Sequence, residues 1–316
     1  MLPLSHYEPT DASCWQGRKD SLPHERFFQE VELVDLKKQS LNKAKNQIAF
    51  LGFCSDEGIR RNEGRLGAKL GPLKLREQLA KLAYHGQKKF VDVGNIVCQT
   101  DLEASQDEFA TLISYCQEQG YKTIAFGGGH EIAFGHFKGL NRHFSKLGII
   151  NFDAHFDLRP LPANKLGSSG TPFLQIAELT KQRSFSYCCL GIQEIANTRS
   201  LFQIADDLEV NYLYAKEIQQ NSLSSQFEFL DKFIEKHDHL YLTFCMDVFA
   251  DYLAPGVSAP QALGLNFQNV MPLLKYILQT GKVISLDIAE LSPPLDIEYK
   301  TTRLAASLVA ELLNYY

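Results

Sequence analysis

A chain of 316 residues, 45% of them hydrophobic, can bury a large core as one big α/β domain or two small ones. Its formal net charge of −5 lacks the Lys and Arg excess of a phosphate-tracking surface and argues against a dedicated nucleic-acid binder. No run of about 18 apolar residues exists to span a membrane, and Met1–Pro9 has no apolar stretch of the secretory-signal kind.

The seven cysteines, Cys14, Cys54, Cys98, Cys116, Cys188, Cys189 and Cys245, are odd in number and irregular in spacing. That pattern suits reduced thiols in a cytoplasmic protein better than a disulfide framework. The absence of a C-x-x-C pair argues against a structural zinc knuckle.

Residues 1–45 are polar and mixed and read as an arm, with one helix or strand, packed on a main body of residues 46–316. From Gln47 the texture changes. Apolar runs predict buried strands at Ile48–Phe53, Thr123–Phe126, Leu147–Phe152, Phe185–Leu190, Tyr241–Met246 and Val283–Ile288. Helical patterning falls between them, at Leu73–Ala83, Asp107–Gln119, Glu131–Phe144, Gln226–His237, Val270–Thr280 and Thr301–Asn314. Alternation of this kind predicts a mostly parallel sheet covered by helices on both faces, a three-layer α/β/α class. Ligands of such sheets bind at the carboxyl ends of the strands.

Four predicted strand ends carry unusual residues. The first is Gly127-Gly128-Gly129-His130, where glycines permit a tight turn that presents His130 at the sheet mouth; a glycine turn with an incidental histidine is the competing reading. The second is Asp153-Ala154-His155-Phe156-Asp157, whose ionisable groups at i, i+2 and i+4 share one side if the chain stays extended. Burying two carboxylates with an imidazole is costly without a cation, and such a set suits manganese, zinc, iron or nickel. A solvated turn is the alternative. The third, Cys245-Met246-Asp247, is followed by Ala254-Pro255-Gly256-Val257-Ser258-Ala259-Pro260, and alternation would aim Cys245 and Asp247 the same way. The fourth is Asp287-Ile288-Ala289-Glu290, where Glu290 is placed to pair with a planar amidinium or guanidinium, unless it is a surface carboxylate.

Taken together these segments resemble the ureohydrolase (arginase–agmatinase) superfamily from about Gln47 to Leu313. The D-A-H-x-D match at Asp153–Asp157 is the most specific element, supported upstream by Asp56-Glu57-Gly58 and Gly64-Arg65-Leu66-Gly67. The resemblance implies an arginase-like fold and a single catalytic domain over 46–316. It also implies two Mn²⁺ ions held by His130, Asp153, His155, Asp157, Cys245 and Asp247. Cys245 stands where the superfamily normally has aspartate, and Asp251 replaces a usual proline; a softer thiolate leaves metal identity open.

Within the superfamily, Trp15-Gln16-Gly17-Arg18-Lys19-Asp20 and Ser169-Gly170-Thr171-Pro172-Phe173 resemble elements of the formimidoylglutamase group, although Trp15 and Arg18 read equally well as an anchor for the arm. The loop from Asp157 to Thr171 lacks the histidine arginases carry there. The implied reaction is hydrolysis of N-formimidoyl-L-glutamate, a step of histidine degradation. Asp157 would transfer the proton and Glu290 would orient the amidinium. Arg60, Arg61, Arg65, Arg159, Ser169 and Thr171 would meet the substrate's carboxylates, or serve as structural partners. Agmatinase, guanidinobutyrase or arginase activity is the nearest alternative, and a non-catalytic metal-binding scaffold the more distant one. The partner expected is a small-molecule amidine, with no nucleic acid and no membrane; a homo-oligomer is left open.

Overall fold

The computed structural model describes residues 4–45, 47–181 and 185–316. Among the described residues ten strands form one sheet: β1 (Tyr7–Glu8), β2 (Val31–Leu33), β3 (Gln47–Cys54), β4 (Phe90–Val97), β5 (Tyr121–Phe126), β6 (Leu147–Phe152), β7 (Tyr187–Ile192), β8 (Asn211–Tyr214), β9 (His239–Cys245) and β10 (Val283–Ala289). The helices are α1 (Glu57–Arg61), α2 (Gly71–Leu79), α3 (Leu102–Glu118), α4 (Ile132–Leu140), α5 (Pro172–Leu179), α6 (Arg199–Asp207), α7 (Ala215–Gln220), α8 (Leu223–Ile234), α9 (Phe267–Gln279) and α10 (Lys300–Leu312).

The strand order is β1-β4-β3-β5-β10-β9-β6-β7-β8, with β2 also on β4, and every pairing is parallel except that of β1 with β4. Strand alternation divides the core in two. On β3, Ile48 and Phe50 join the layer packed by α2, α8, α9 and α10, whereas Ala49, Leu51 and Phe53 join the layer packed by α3, α4, α5 and α6. This is the three-layer α/β/α arrangement, and each fully buried Phe adds roughly 1.5–3 kcal/mol to it. The six predicted strands are all present. The apolar pattern missed β4 and β8.

The residues ahead of β3 are tied in through β4. Trp15 stacks on Phe50, ring centroids 5.8 Å apart, and its indole N–H donates to Asp92 at 2.7 Å. Thr10 donates to the other Asp92 oxygen at 2.7 Å. Arg76 of α2 grips the same carboxylate through Nε at 2.7 Å and Nη2 at 3.0 Å, with both side chains buried. Arg18, by contrast, is exposed and pairs with Asp20. Trp15 is therefore an anchor, as one of the two local readings had it. Asp92→Asn leaves the Arg76 cation buried without its counter-charge, and is expected to lower stability by about 3–5 kcal/mol. Urea unfolding checks this, and a change below about 1 kcal/mol would mean that Asn95 and the backbone carbonyls suffice for Arg76.

Candidate metal centre

Strands β5, β10, β9 and β6 are consecutive neighbours and mutually parallel, so their carboxyl ends share one edge of the sheet. Sequence segments more than a hundred residues apart meet there. Beyond β5, a Cβ on Gly128 would lie 2.0 Å from the Ser55 carbonyl oxygen; only glycine lets this loop pack so closely, placing His130 just before α4.

Two local expectations fail in detail. The segment after β6 does not stay extended. Asp153 Oδ1 accepts the His155 N–H at 2.8 Å, Asn197 Oδ1 accepts the Phe156 N–H at 3.1 Å, and Asp157 takes a left-handed φ of 49°. Side-chain-to-backbone bonds of this kind favour a turn over a strand. Likewise β9 ends at Cys245, and Met246–Val248 is a 3₁₀ turn, so Asp247 reaches the site by a turn and not by strand alternation. The side chains still converge. His130, His155, Asp157, Cys245, Asp247 and Glu290 all line one cavity of ≈ 310 Å³.

The donor atoms fall into two overlapping sets, His130–Asp153–Cys245 and Asp153–His155–Asp247, each with its atoms within 4.8 Å of one another. Asp153 belongs to both. Nδ1 of His130 is 2.9 Å from Asp153 Oδ2 and 2.9 Å from Asp157 Oδ2, yet makes a well-directed hydrogen bond to neither. Nδ1 of His155 lies 3.2 Å from Asp247 and 3.5 Å from Asp153. Among the described residues, Oδ1 of Asp247 and Oε2 of Glu290 are buried without hydrogen-bond partners, while Glu290 Oε1 accepts the His130 backbone N–H at 2.9 Å. Glu290 also holds a left-handed φ of 66°. Strained backbone at two candidate functional residues fits a site over-determined by its surroundings.

The charges are out of balance. Burial and the Asp153 charge push the Asp157 carboxyl up to about 6 and raise that of Asp247 as well. Burial, then the charges of Glu131 and Asp247, lifts Glu290 well above the usual carboxylate range, and burial and Asp153 do the same for the Cys245 thiol. Burial opposes the imidazolium forms of His130 and His155, but the facing carboxylates win and both rise well above the ordinary histidine value. Nitrogen, oxygen and sulfur donors aimed at common points, with orphaned oxygens and surplus negative charge, fit divalent cations.

The facing carboxylates favour the protonated forms of both imidazoles, and a bound cation would compete with those protons for the ring lone pairs. Loading Mn²⁺ is therefore expected to release protons, and affinity to rise with pH above the ordinary histidine range of about 6.5. Calorimetry in buffers of different ionisation heat measures this directly. Loading without proton release would show that the imidazoles are not ligands.

The rim is less uniform than the sequence suggests. Arg61 is committed to Glu57 at 2.8 Å, Glu103 at 2.6 Å and the Gly167 carbonyl at 3.0 Å. Arg60 forks onto Glu57, and Arg65 zips its loop to the carbonyls of Val257 and Ser258. Arg159 has no side-chain partner among the described residues and lines both the central cavity and a neighbouring one of ≈ 600 Å³. Beside it, Asn62 donates to Ser169 Oγ at 3.2 Å, and Gly170 leaves room for the Arg159 and Asn62 side chains. Thr171 is buried, bonded to Gln175 and Ser168, and faces only the neighbouring cavity.

Sequence reasoning missed Asn62 and Asn197. Asn197, past the carboxyl end of β7, also donates to the Ala154 carbonyl at 2.9 Å and so shapes the Asp153–Asp157 turn. The strand-end rule applied to β7 would have found it.

Residues 46–314 match the arginase family. The formimidoylglutamase of Legionella pneumophila (strain Lens) is 55% identical over 314 residues, covering 98% of this chain and 98% of that protein. The formimidoylglutamase of Clostridium tetani (strain Massachusetts / E88) is 42% identical over 325 residues, covering 98% and 96%. Among solved structures, Trypanosoma cruzi formiminoglutamase with Mn²⁺ superimposes with a TM-score of 0.77 at 26% identity, covering 85% of this chain and 92% of that one.

Proposed function

The chain belongs to the arginase family, and from that premise we propose that it hydrolyses N-formimidoyl-L-glutamate with water to L-glutamate and formamide, using two Mn²⁺ ions. The observation that carries the reading is the doubled donor set around Asp153 facing an unpaired Glu290 oxygen. The formimidoylglutamase relatives supply the substrate. The same reading treats residues 46–316 as one catalytic domain with 1–45 as its arm, working in the cytoplasm in histidine degradation.

His130, Asp153, Asp157 and Cys245 would hold one cation, and Asp153, His155 and Asp247 the other. When bound, such a pair supplies the Lewis acidity that makes water a nucleophile at neutral pH. The chain's own groups do the rest. Glu290, its Oε1 pinned by the His130 N–H, offers Oε2 to an amidinium N–H and fixes the plane of the carbon under attack. Asp157, which lines the cavity beside His130, is placed to take a proton from the attacking water and pass it to the departing amine. The free guanidinium of Arg159, with Asn62 and Ser169, receives the substrate's carboxylates at the rim. Arg60, Arg61, Arg65 and Thr171 shape those loops.

Product analysis before and after chelation and Mn²⁺ repletion tests the proposal. Formamide and glutamate should appear only with metal. Turnover of agmatine with none of formimidoylglutamate would sink it. Arg159→Ala is expected to cost one charge-assisted contact, a drop of roughly tenfold to hundredfold in kcat/KM carried mainly by KM. Steady-state kinetics at saturating Mn²⁺ checks this; an unchanged KM removes Arg159 from the carboxylate site.

A further inference from the structure

Directly beneath the donor cluster, in the middle of the sheet, sits a carboxylate that touches neither the cavity nor solvent. Asp287 of β10 is fully buried and accepts three hydrogen bonds. His136 Nδ1 of α4 donates to Oδ2 at 2.6 Å, the Tyr241 hydroxyl of β9 donates to the same oxygen, and Thr243 Oγ1 of β9 donates to Oδ1 at 2.6 Å. The far nitrogen of His136 lies 2.5 Å from Ser285 Oγ, which meets Thr123 in turn. A fold needing only stability has little reason to keep so many polar groups in a sheet centre, where apolar packing serves as well or better.

The network ends on a candidate metal ligand. A carboxylate can only accept, so the single hydroxyl proton of Thr243 is spent on Asp287. Thr243 Oγ1 can then only accept at its other contact, His130 Nε2 at 2.9 Å. Nε2 must carry a hydrogen, and Nδ1 is the nitrogen left to face Asp153 and Asp157. No other side chain among the described residues bonds to Nε2 of His130.

We propose that Asp287, acting through Thr243, is a positioning residue for His130: it fixes Nε2 as the protonated nitrogen and sets the ring angle that turns the Nδ1 lone pair to the metal. This rests on the paired-cation reading above. The logic is that of a metal-bound imidazole whose second nitrogen is held by an outer acceptor, here with a hydroxyl relaying between ring and carboxylate.

Thr243→Val keeps the side-chain shape and deletes the relay; Thr243→Ser restores it. Calorimetric titration of the metal-free protein with Mn²⁺ is expected to show about 10–100-fold weaker binding for T243V and wild-type binding for T243S. KM at saturating Mn²⁺ should stay unchanged in T243V, because no substrate-facing group is altered. Nitrogen-15 NMR of histidine-labelled metal-free protein, at a pH high enough for the His130 ring to be neutral, should show a slowly exchanging His130 Nε2–H in the wild type and T243S, and its loss in T243V. Equal Mn²⁺ affinity for T243V and wild type, or a wild-type His130 without a proton on Nε2, overturns the proposal. The wild-type ring-proton measurement needs no variant, so it decides the matter even if T243V fails to fold. A wild type that binds no Mn²⁺ would instead sink the paired-cation reading, and the ring proton would still report whether Thr243 fixes the tautomer.

Discussion

Asp157→Asn is expected to lower kcat by about 10²–10⁴-fold at saturating Mn²⁺, the range associated with losing a positioned proton-transfer group. The substitution is well suited to the site. Asp157 sits at a φ of 49°, and asparagine tolerates that left-handed backbone nearly as well as aspartate, so the turn should survive. What disappears is the one carboxylate of the D-A-H-x-D turn that both lies beside His130 and lines the cavity, where it can exchange a proton with a bound substrate. Asparagine can still offer an oxygen to a cation but cannot carry the proton. Metal content should accordingly fall less than kcat does. A variant retaining kcat within about tenfold of wild type would remove Asp157 from the proton path.

Glu290→Gln is expected to cost about 10²–10³-fold in kcat, comparable to deleting one preorganised partner of developing charge. Glutamine has the same shape and can keep the bond from the His130 backbone N–H. Its other terminal atom becomes an N–H₂ facing the N–H of an amidinium, so an attractive contact turns repulsive as charge localises. Mn²⁺ affinity should be nearly unaffected, because Glu290 lies outside both donor sets. Wild-type kcat in E290Q would mean the amidine is oriented elsewhere.

The central strands were legible because they are buried on both faces and therefore read as unbroken apolar runs. The residues that follow them stood out by contrast, which is why His130, Asp153, His155, Asp157, Cys245, Asp247 and Glu290 could all be singled out from the sequence, and the structure brings them to one edge. β4 was illegible for a complementary reason. Its Asp92 and Asn95 interrupt the apolar run, and they are polar because Arg76, on the helix just before the strand, needs them. The arginines were ambiguous because a guanidinium looks the same in a sequence whether it has no side-chain partner among the described residues, as at Arg159, or is spent on neighbours, as at Arg61. Asn62 carries no local signal, because its importance comes from a loop that only the fold brings alongside, whereas Asn197 lay past a predicted strand end that was not followed up. The turn geometry at Asp157 and Asp247 was missed because period-two reasoning holds only while the ladder continues.

The place of β10 in the sheet has a temporal meaning. It follows every other strand in the chain, yet it is inserted between β5 and β9, with pairing partners on both sides. While a ribosome is still making the region before residue 283, the growing chain has two sheet fragments with an open slot between them, exposing strand edges that invite aggregation. Closing the slot brings Asp287 beneath Thr243 and Glu290 beside His130 in a single event. Catalytic competence therefore cannot precede synthesis of the C-terminal segment.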